Sequence, residues 1–273
     1  MKRTLLYVAT ATICLATMLS CKNKTNELTQ EQVQEQKLAV ADSVLSLIDT
    51  LEIEFVNKSD NGFRVSDLFA LTDAEKLVKP DYLLDPSAAN TLFTRRQKIN
   101  ALAYYTLEYG IREAYGMPLD DVNKAITKLS VDVDVPIDLD YLRSDAAESL
   151  KVQRVYEMCR EKGDIAAFWQ YQCAFIFHTD YIIACNPKLY IPKISEEGLQ
   201  QFNHRLEYVT NAATALAPYD KDMESLLLEI KSWDLLVDET EWDEAFASDI
   251  STAQFYIKNK KAIIERRNRM IEE

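Results

Sequence analysis

Apolar residues recur every three or four positions through most of the chain, the spacing of one face of an α-helix. Val33, Val40, Val44, Ile48, Leu51 and Phe55 mark a long amphipathic helix reaching about Val56, and the polar run from Asn57 to Gly62 stops it. A short helix is predicted over 67–78, where Thr72-Asp73-Ala74-Glu75 has the capping-box pattern that starts a helix. Pro80 and Pro86 bracket a compact connection that turns Tyr82, Leu83 and Leu84 inward. Helices follow over 90–115, closed by Gly116 and Pro118, and over 118–130. The alternating stretch Val131 to Leu139 is the strand-like one, but Pro136 interrupts it and no second strand pairs with it. It reads as an extended link and as a candidate subdomain boundary near 131–139. Further helices fit 145–161, 164–185, 195–217, 221–238 and 241–271, with Asp164, Ser195, Asp220 and Thr240 at N-cap positions. The expected fold is all-α: an irregular bundle of eight or nine helices with no substantial sheet and no solenoid repeat.

Residues 164–185 are apolar on nearly every side, which marks a helix buried all round. Gln170, Gln172, His178 and Asp180 weigh against a membrane span, since charge at mid-bilayer is costly. At about 100° per residue, His178 shares a face with Tyr171, Ala174, Tyr181, Ile182 and Cys185. Asp180 points to the opposite side with Trp169, Cys173 and Ile176, so His178 and Asp180 do not make a catalytic dyad. A buried histidine needs partners for both ring nitrogens, and tyrosine or backbone is the expected source. The sharper expectation is a ligand-facing patch of Tyr171, His178 and Tyr181.

The N-terminus sets the address. Met1-Lys2-Arg3 precedes an uncharged, largely apolar run from Leu5 to Leu19, then Ser20 and Cys21, the layout of a secretory signal. Met18-Leu19-Ser20-Cys21 resembles the lipobox of bacterial lipoproteins, with Met18 where that family usually has leucine, a relaxation typical of Bacteroidota lipoproteins. The resemblance implies a signal peptide over 1–20, Cys21 as the lipid attachment site carrying acyl chains such as palmitate, a tether over 21–32 and a helical domain over 33–273. More than one acyl chain gives a stable membrane anchor. Lys22-Asn23-Lys24 stand where surface-exported relatives carry acidic residues, which points to the periplasm-facing side of the outer membrane. The organisation of the chain is similar to that of all-helical Bacteroidota lipoproteins of unassigned activity. That resemblance implies a membrane partner through Cys21 and an envelope protein or ligand partner, and it brings no catalytic residue.

Composition narrows the picture further. With 44 acidic and 31 basic residues among 273, a formal charge of −13 argues against nucleic acid as a partner. At 48% hydrophobic residues the chain has material for a sizeable core. Its 5 glycines leave little for hairpins or phosphate-cradling loops; Gly110, inside a predicted helix, implies close helix contact or a bend. Cys159, Cys173 and Cys185 are expected as single buried thiols, since two of them lie about 18 Å apart along one helix at 1.5 Å per residue. Neither Glu-x-x-His nor HExxH occurs. His204-Arg205-Leu206-Glu207 is similar to the HxxE motif of imelysin-type helical lipoproteins, with Phe202 in place of that family's glycine; a surface His–Glu pair is the expected reading. Asp132, Asp134, Asp138 and Asp140 lack the third ligand and the glycine of a calcium loop. Lys258, Lys260, Lys261, Arg266, Arg267 and Arg269 read as a solvated basic helix end. No catalytic, cofactor-binding or metal-binding residue is assigned. The leading expectation is a non-enzymatic, lipid-anchored envelope module. The alternative is a periplasmic enzyme with a metal-assisted or pocket-based site near the 164–185 helix.

Overall fold

A computed structural model describes residues 30–59, 65–144, 146–234 and 251–272. Among these residues there are ten α-helices, four short 3-10 turns and no strand. The helices are α1 (Gln30–Ser59), α2 (Arg95–Ala114), α3 (Asp120–Val133), α4 (Leu139–Arg143), α5 (Glu148–Glu161), α6 (Ile165–Cys185), α7 (Pro187–Tyr190), α8 (Glu196–Leu216), α9 (Lys221–Asp234) and α10 (Ser251–Glu272). The all-α multi-helix fold expected from the sequence is the fold found. The chain divides into two compact units between Leu45 and Ser46, and the core lies in the second. No described helix is long and apolar enough to cross a membrane.

The core is built around α6. Seventeen of its 21 residues are buried, and it packs against α2, α5, α7, α8, α9 and α10. A helix covered on all sides needs no polar face, which is why its sequence shows so little amphipathic pattern. Its start is set locally. Gly163 closes α5 at φ 72°, a left-handed conformation that costs glycine little. The N–H groups of Gly163 and Asp164 then donate to the Arg160 and Cys159 carbonyls, both at 2.9 Å. Asp164 in turn accepts from the Ala167 N–H at 3.3 Å, capping α6.

The terminal helix α10 is drawn into the core. Asn100 donates to the Met270 carbonyl at 2.6 Å, and Gln170 donates to Asn100 Oδ1 at 3.2 Å and to the Arg96 carbonyl at 3.0 Å. Arg266 and Arg267 are only 9% and 5% exposed, which corrects their reading as part of a solvated basic end. Tyr256, Ile263, Arg267 and Met270 follow helical spacing and all are buried, whereas Lys258, Lys260, Lys261 and Arg269 stay exposed. The charges of α10 are thus divided: two arginines enter the packing face, and four basic residues stay at the surface.

Three other expectations are corrected. Residues 67–78 form two 3-10 turns, Val65–Phe69 and Glu75–Leu77. The Thr72–Glu75 capping box is present, with Thr72 N–H donating to Glu75 Oε2 at 2.7 Å and Glu75 N–H to Thr72 Oγ1 at 3.3 Å. It caps a single turn, because Leu77 and Val78 beyond it are 82% and 77% exposed and no buried stripe supports a longer helix. The stretch from Val131 is not extended as a whole. The stripe Val122, Ile126, Leu129, Val133 carries α3 to Val133, where Asp134 turns left-handed at φ 57°. The helical period outweighs the short alternation, and α4 starts soon after. The 90–115 helix begins later than expected, at Arg95, behind a capping box of Thr94 and Gln97. Gly62 and Thr240 lie outside the described residues.

Gly110 meets its expectation of close contact. A Cβ placed there would lie 2.3 Å from Phe69 Cε2 and 2.6 Å from Cζ. Gly110→Ala is expected to destabilise by about 1–3 kcal/mol through overpacking, despite the ~1 kcal/mol helix-propensity gain. Urea denaturation measures this, and the penalty should vanish in a Phe69→Ala background; an equal penalty there would mean that Phe69 is not the obstacle.

Candidate functional site

The interior holds an unusual concentration of polar groups where α2, α6 and α10 meet. Glu108 of α2 sits among Tyr104, Tyr105, Leu107 and Tyr109, all buried, and its own side chain is fully enclosed. Its carboxylate accepts the Leu84 N–H at 2.9 and 3.0 Å, one distance to each oxygen. Arg112 lies one turn on, at 3.5 Å from Glu108 Oε2, and also donates to the Leu84 carbonyl at 2.7 Å. A glutamate and an arginine one helical turn apart thus clamp both faces of a loop peptide. Tyr105 and Tyr181 extend the clamp, donating to the carbonyls of Asp85 at 2.7 Å and Tyr82 at 2.8 Å.

His178 completes the cluster. Its Nε2 lies 2.9 Å from Glu108 Oε1, and its Nδ1 lies 3.3 Å from Arg267 Nε. Arginine only donates, so Nδ1 accepts and the ring proton sits on Nε2, pointing at the carboxylate. Burial is the main force pushing the imidazole down to about 4; Arg267 adds to it, and Glu108 opposes it. The ring is stacked between Tyr104, at 4.2 Å and 18°, and Tyr181, at 5.3 Å and 12°. The Arg267 guanidinium lies 5.0 and 4.5 Å from the same two rings, and 3.8 Å from Glu108 Oε1. Both imidazole nitrogens are therefore committed to side chains of the chain itself.

Asp180 faces the other way, as its helical position requires. It accepts from Tyr256 at 2.8 Å. Burial raises its carboxyl to about 6, against the opposing pull of Arg266 and the Tyr256 hydroxyl. Arg266 itself lies over the Phe177 ring at 3.9 Å, and burial lowers it to about 9.

A separate cavity of about 120 Å³ opens beside Tyr171, against the roughly 10–15 Å³ that one water needs. Phe69, Leu107, Val155 and Phe175 give it apolar walls, and Glu148, Lys151, Tyr171, Gln172 and Arg205 bring polar groups to it. Arg205 is 3% exposed, its Nε has no hydrogen-bond partner, and burial lowers it to about 10, with Glu148 opposing. Of the three residues of the expected ligand-facing patch, Tyr171 lines this cavity, while His178 and Tyr181 belong to the sealed cluster; neither of those two lines it.

Glu108 was not singled out by sequence, and Arg267, Gln172 and Arg205 were given no part in a site. Glu108 had a signal, a lone carboxylate inside an apolar helical face, and Arg267 had one in its spacing from Ile263 and Met270. Arg205 stands between His204 and Glu207, which form the expected surface pair at 3.2 Å; Arg205 turns inward. Cys159, Cys173 and Cys185 are free thiols as expected, the first two buried and the third half-buried. Among the described residues no three His, Cys, Asp or Glu side chains gather where they would hold a metal ion. Fold and site together define a multi-helix protein with a closed polar core and a lateral cavity. No family model, no curated protein and no solved structure matches the chain.

Proposed function

We propose that the chain is a lipid-anchored, non-enzymatic binding module of the bacterial envelope. Acylated Cys21 would tether it to the periplasm-facing side of the outer membrane, with a protein or ligand as partner. One observation carries the binding part of this reading. His178 and Glu108, the pair best suited to proton transfer, are fully enclosed and bonded to each other, whereas Arg205, an enclosed cation whose Nε has no hydrogen-bond partner among the described residues, lines a cavity. Groups spent on one another hold a fold together, and groups left unspent at a cavity are available to a ligand.

The anchor is supported by the Met18–Cys21 lipobox and by the polar segment behind it. Cys21→Ala is expected to shift the protein from the membrane to the soluble fraction and to abolish labelling by palmitate. Persistence in the membrane fraction would refute the anchor. Cross-linking in intact envelopes, followed by capture of the wild-type chain, identifies a macromolecular partner.

A further inference from the structure

We propose that the cavity beside Tyr171 binds a small organic monocarboxylate, with Arg205 receiving the carboxylate and Phe69, Leu107 and Phe175 enclosing the apolar body. The inference rests on the reading of the chain as a binding module and names the ligand class, but it does not depend on the anchor.

Arg205 carries the argument. It is 97% buried by its 3% exposure, and it makes neither an ion pair nor a hydrogen bond among the described residues. Its guanidinium lies 4.7 Å from the Phe55 ring centre and 5.2 Å from that of Phe202. Those rings stabilise a cation but do not take its N–H groups. A buried charge without an opposite charge is strongly unfavourable, and a bound anion removes that penalty. Glu148 lines the same cavity yet stays beyond ion-pair distance of Arg205.

The remaining polar groups narrow the ligand. Arg205 and Lys151 against Glu148 leave one positive charge in excess around the cavity, which a monoanion balances and a dianion overshoots. The planar guanidinium matches a carboxylate in bidentate geometry. Gln172, 3% exposed, lines the same cavity, so its amide brings a further donor to the wall. The apolar walls require a hydrocarbon body on the acid. A neutral ligand would leave Arg205 uncompensated, and inorganic phosphate would leave the walls unfilled.

Thermal melts of the full chain in detergent, followed by circular dichroism, test this with isovalerate, its neutral amide isovaleramide and inorganic phosphate. Isovalerate at about ten times its Kd is expected to raise Tm by roughly 3–5 °C, with little effect from the other two. Arg205→Met should lose the shift. Lys151→Met, at a half-buried position, keeps the core intact and should weaken isovalerate binding, which keeps the test open if Arg205→Met does not fold. Three outcomes overturn the proposal: no shift from isovalerate up to roughly 10 mM, ten times the Kd of a millimolar ligand; an equal shift from the amide; or a larger shift from phosphate. The melts read the cavity alone and Cys21→Ala fractionation reads the anchor alone, so failure of one is distinguishable from failure of the other.

Discussion

Glu108→Ala is expected to cost about 3–5 kcal/mol, a large part of the roughly 5–15 kcal/mol that holds a typical domain folded. The carboxylate is the anion in contact with Arg112, Arg267 and His178. Removing it leaves two buried guanidinium groups without that counter-charge. It also orphans the half-buried Leu84 N–H and the buried His178 Nε2 proton, each with a desolvation penalty. Glu108→Gln should cost less, because its amide oxygen still accepts a proton from one of them. Urea unfolding at pH 7 measures both variants, and the midpoint should fall without a change in slope. A loss below about 1 kcal/mol for the alanine variant, the scale of an exposed pair, would mean that the cluster does not hold the fold. Joint replacement of Glu108, Arg112 and Arg267 by apolar residues of similar volume should recover much of the loss, since a broken buried pair is worse than none.

The second large effect is one of pH. The Asp180 carboxyl is raised to about 6 in the folded chain from 3.8, so between those values the folded state holds a proton that the unfolded state releases. The stability contributed by this group is complete below pH 3.8 and is lost as pH rises through 6. The difference is about 3 kcal/mol, at ~1.4 kcal/mol per pH unit. Asp180→Asn removes the titration, so its stability relative to wild type should improve by about 3 kcal/mol between pH 3 and pH 7. His178 works in the opposite sense. Its folded value of about 4 lies below the ordinary 6.5, so its contribution is complete above 6.5 and is lost as pH falls toward 4. In the wild type the two oppose each other across the mildly acidic range, and the asparagine variant should uncover the histidine as a steeper acid limb. Glu52, raised to about 7 mainly by burial, is common to both proteins and drops out of the comparison. A wild-type-minus-variant difference that is flat from pH 3 to 7 would refute the buried, proton-holding Asp180.

Most of the helical architecture was legible in the sequence because its signals are local. Asp164, Ser195 and Asp220 each accept a backbone N–H two or three residues ahead, and a cap is visible wherever a short polar side chain precedes an apolar stripe. The boundaries went wrong where two local signals competed. At Val131 to Leu139 a two-residue alternation overlaid the end of a helical stripe, and burial of Ile126, Leu129 and Val133 with Val131 76% exposed decided for the stripe through Val133. The site was much less legible. That His178 is buried could be read from its helix; that its partners are Glu108, on a helix 70 residues earlier, and Arg267, 89 residues later, could not, because tertiary pairing leaves no mark in local spacing. Arg266 and Arg267 were hidden by composition: a run of cations looks solvated until the helix is rotated against its neighbour. Arg205 was hidden by its neighbours, since the exposed His204 and Glu207 draw the eye to the surface.

The order in which the ribosome delivers these pieces has a consequence for folding. Tyr104 is made early and closes on the carbonyl of Arg267, 163 positions later, an interval of about 10–30 s at usual elongation rates. Until α10 emerges, Glu108 and His178 have no Arg267 and Asn100 has no Met270 carbonyl, so the nascent chain holds an open, polar-lined seam instead of a finished core. The core around Glu108 and His178 is therefore completed only once α10 has been made, whatever the state of the helices synthesised before it.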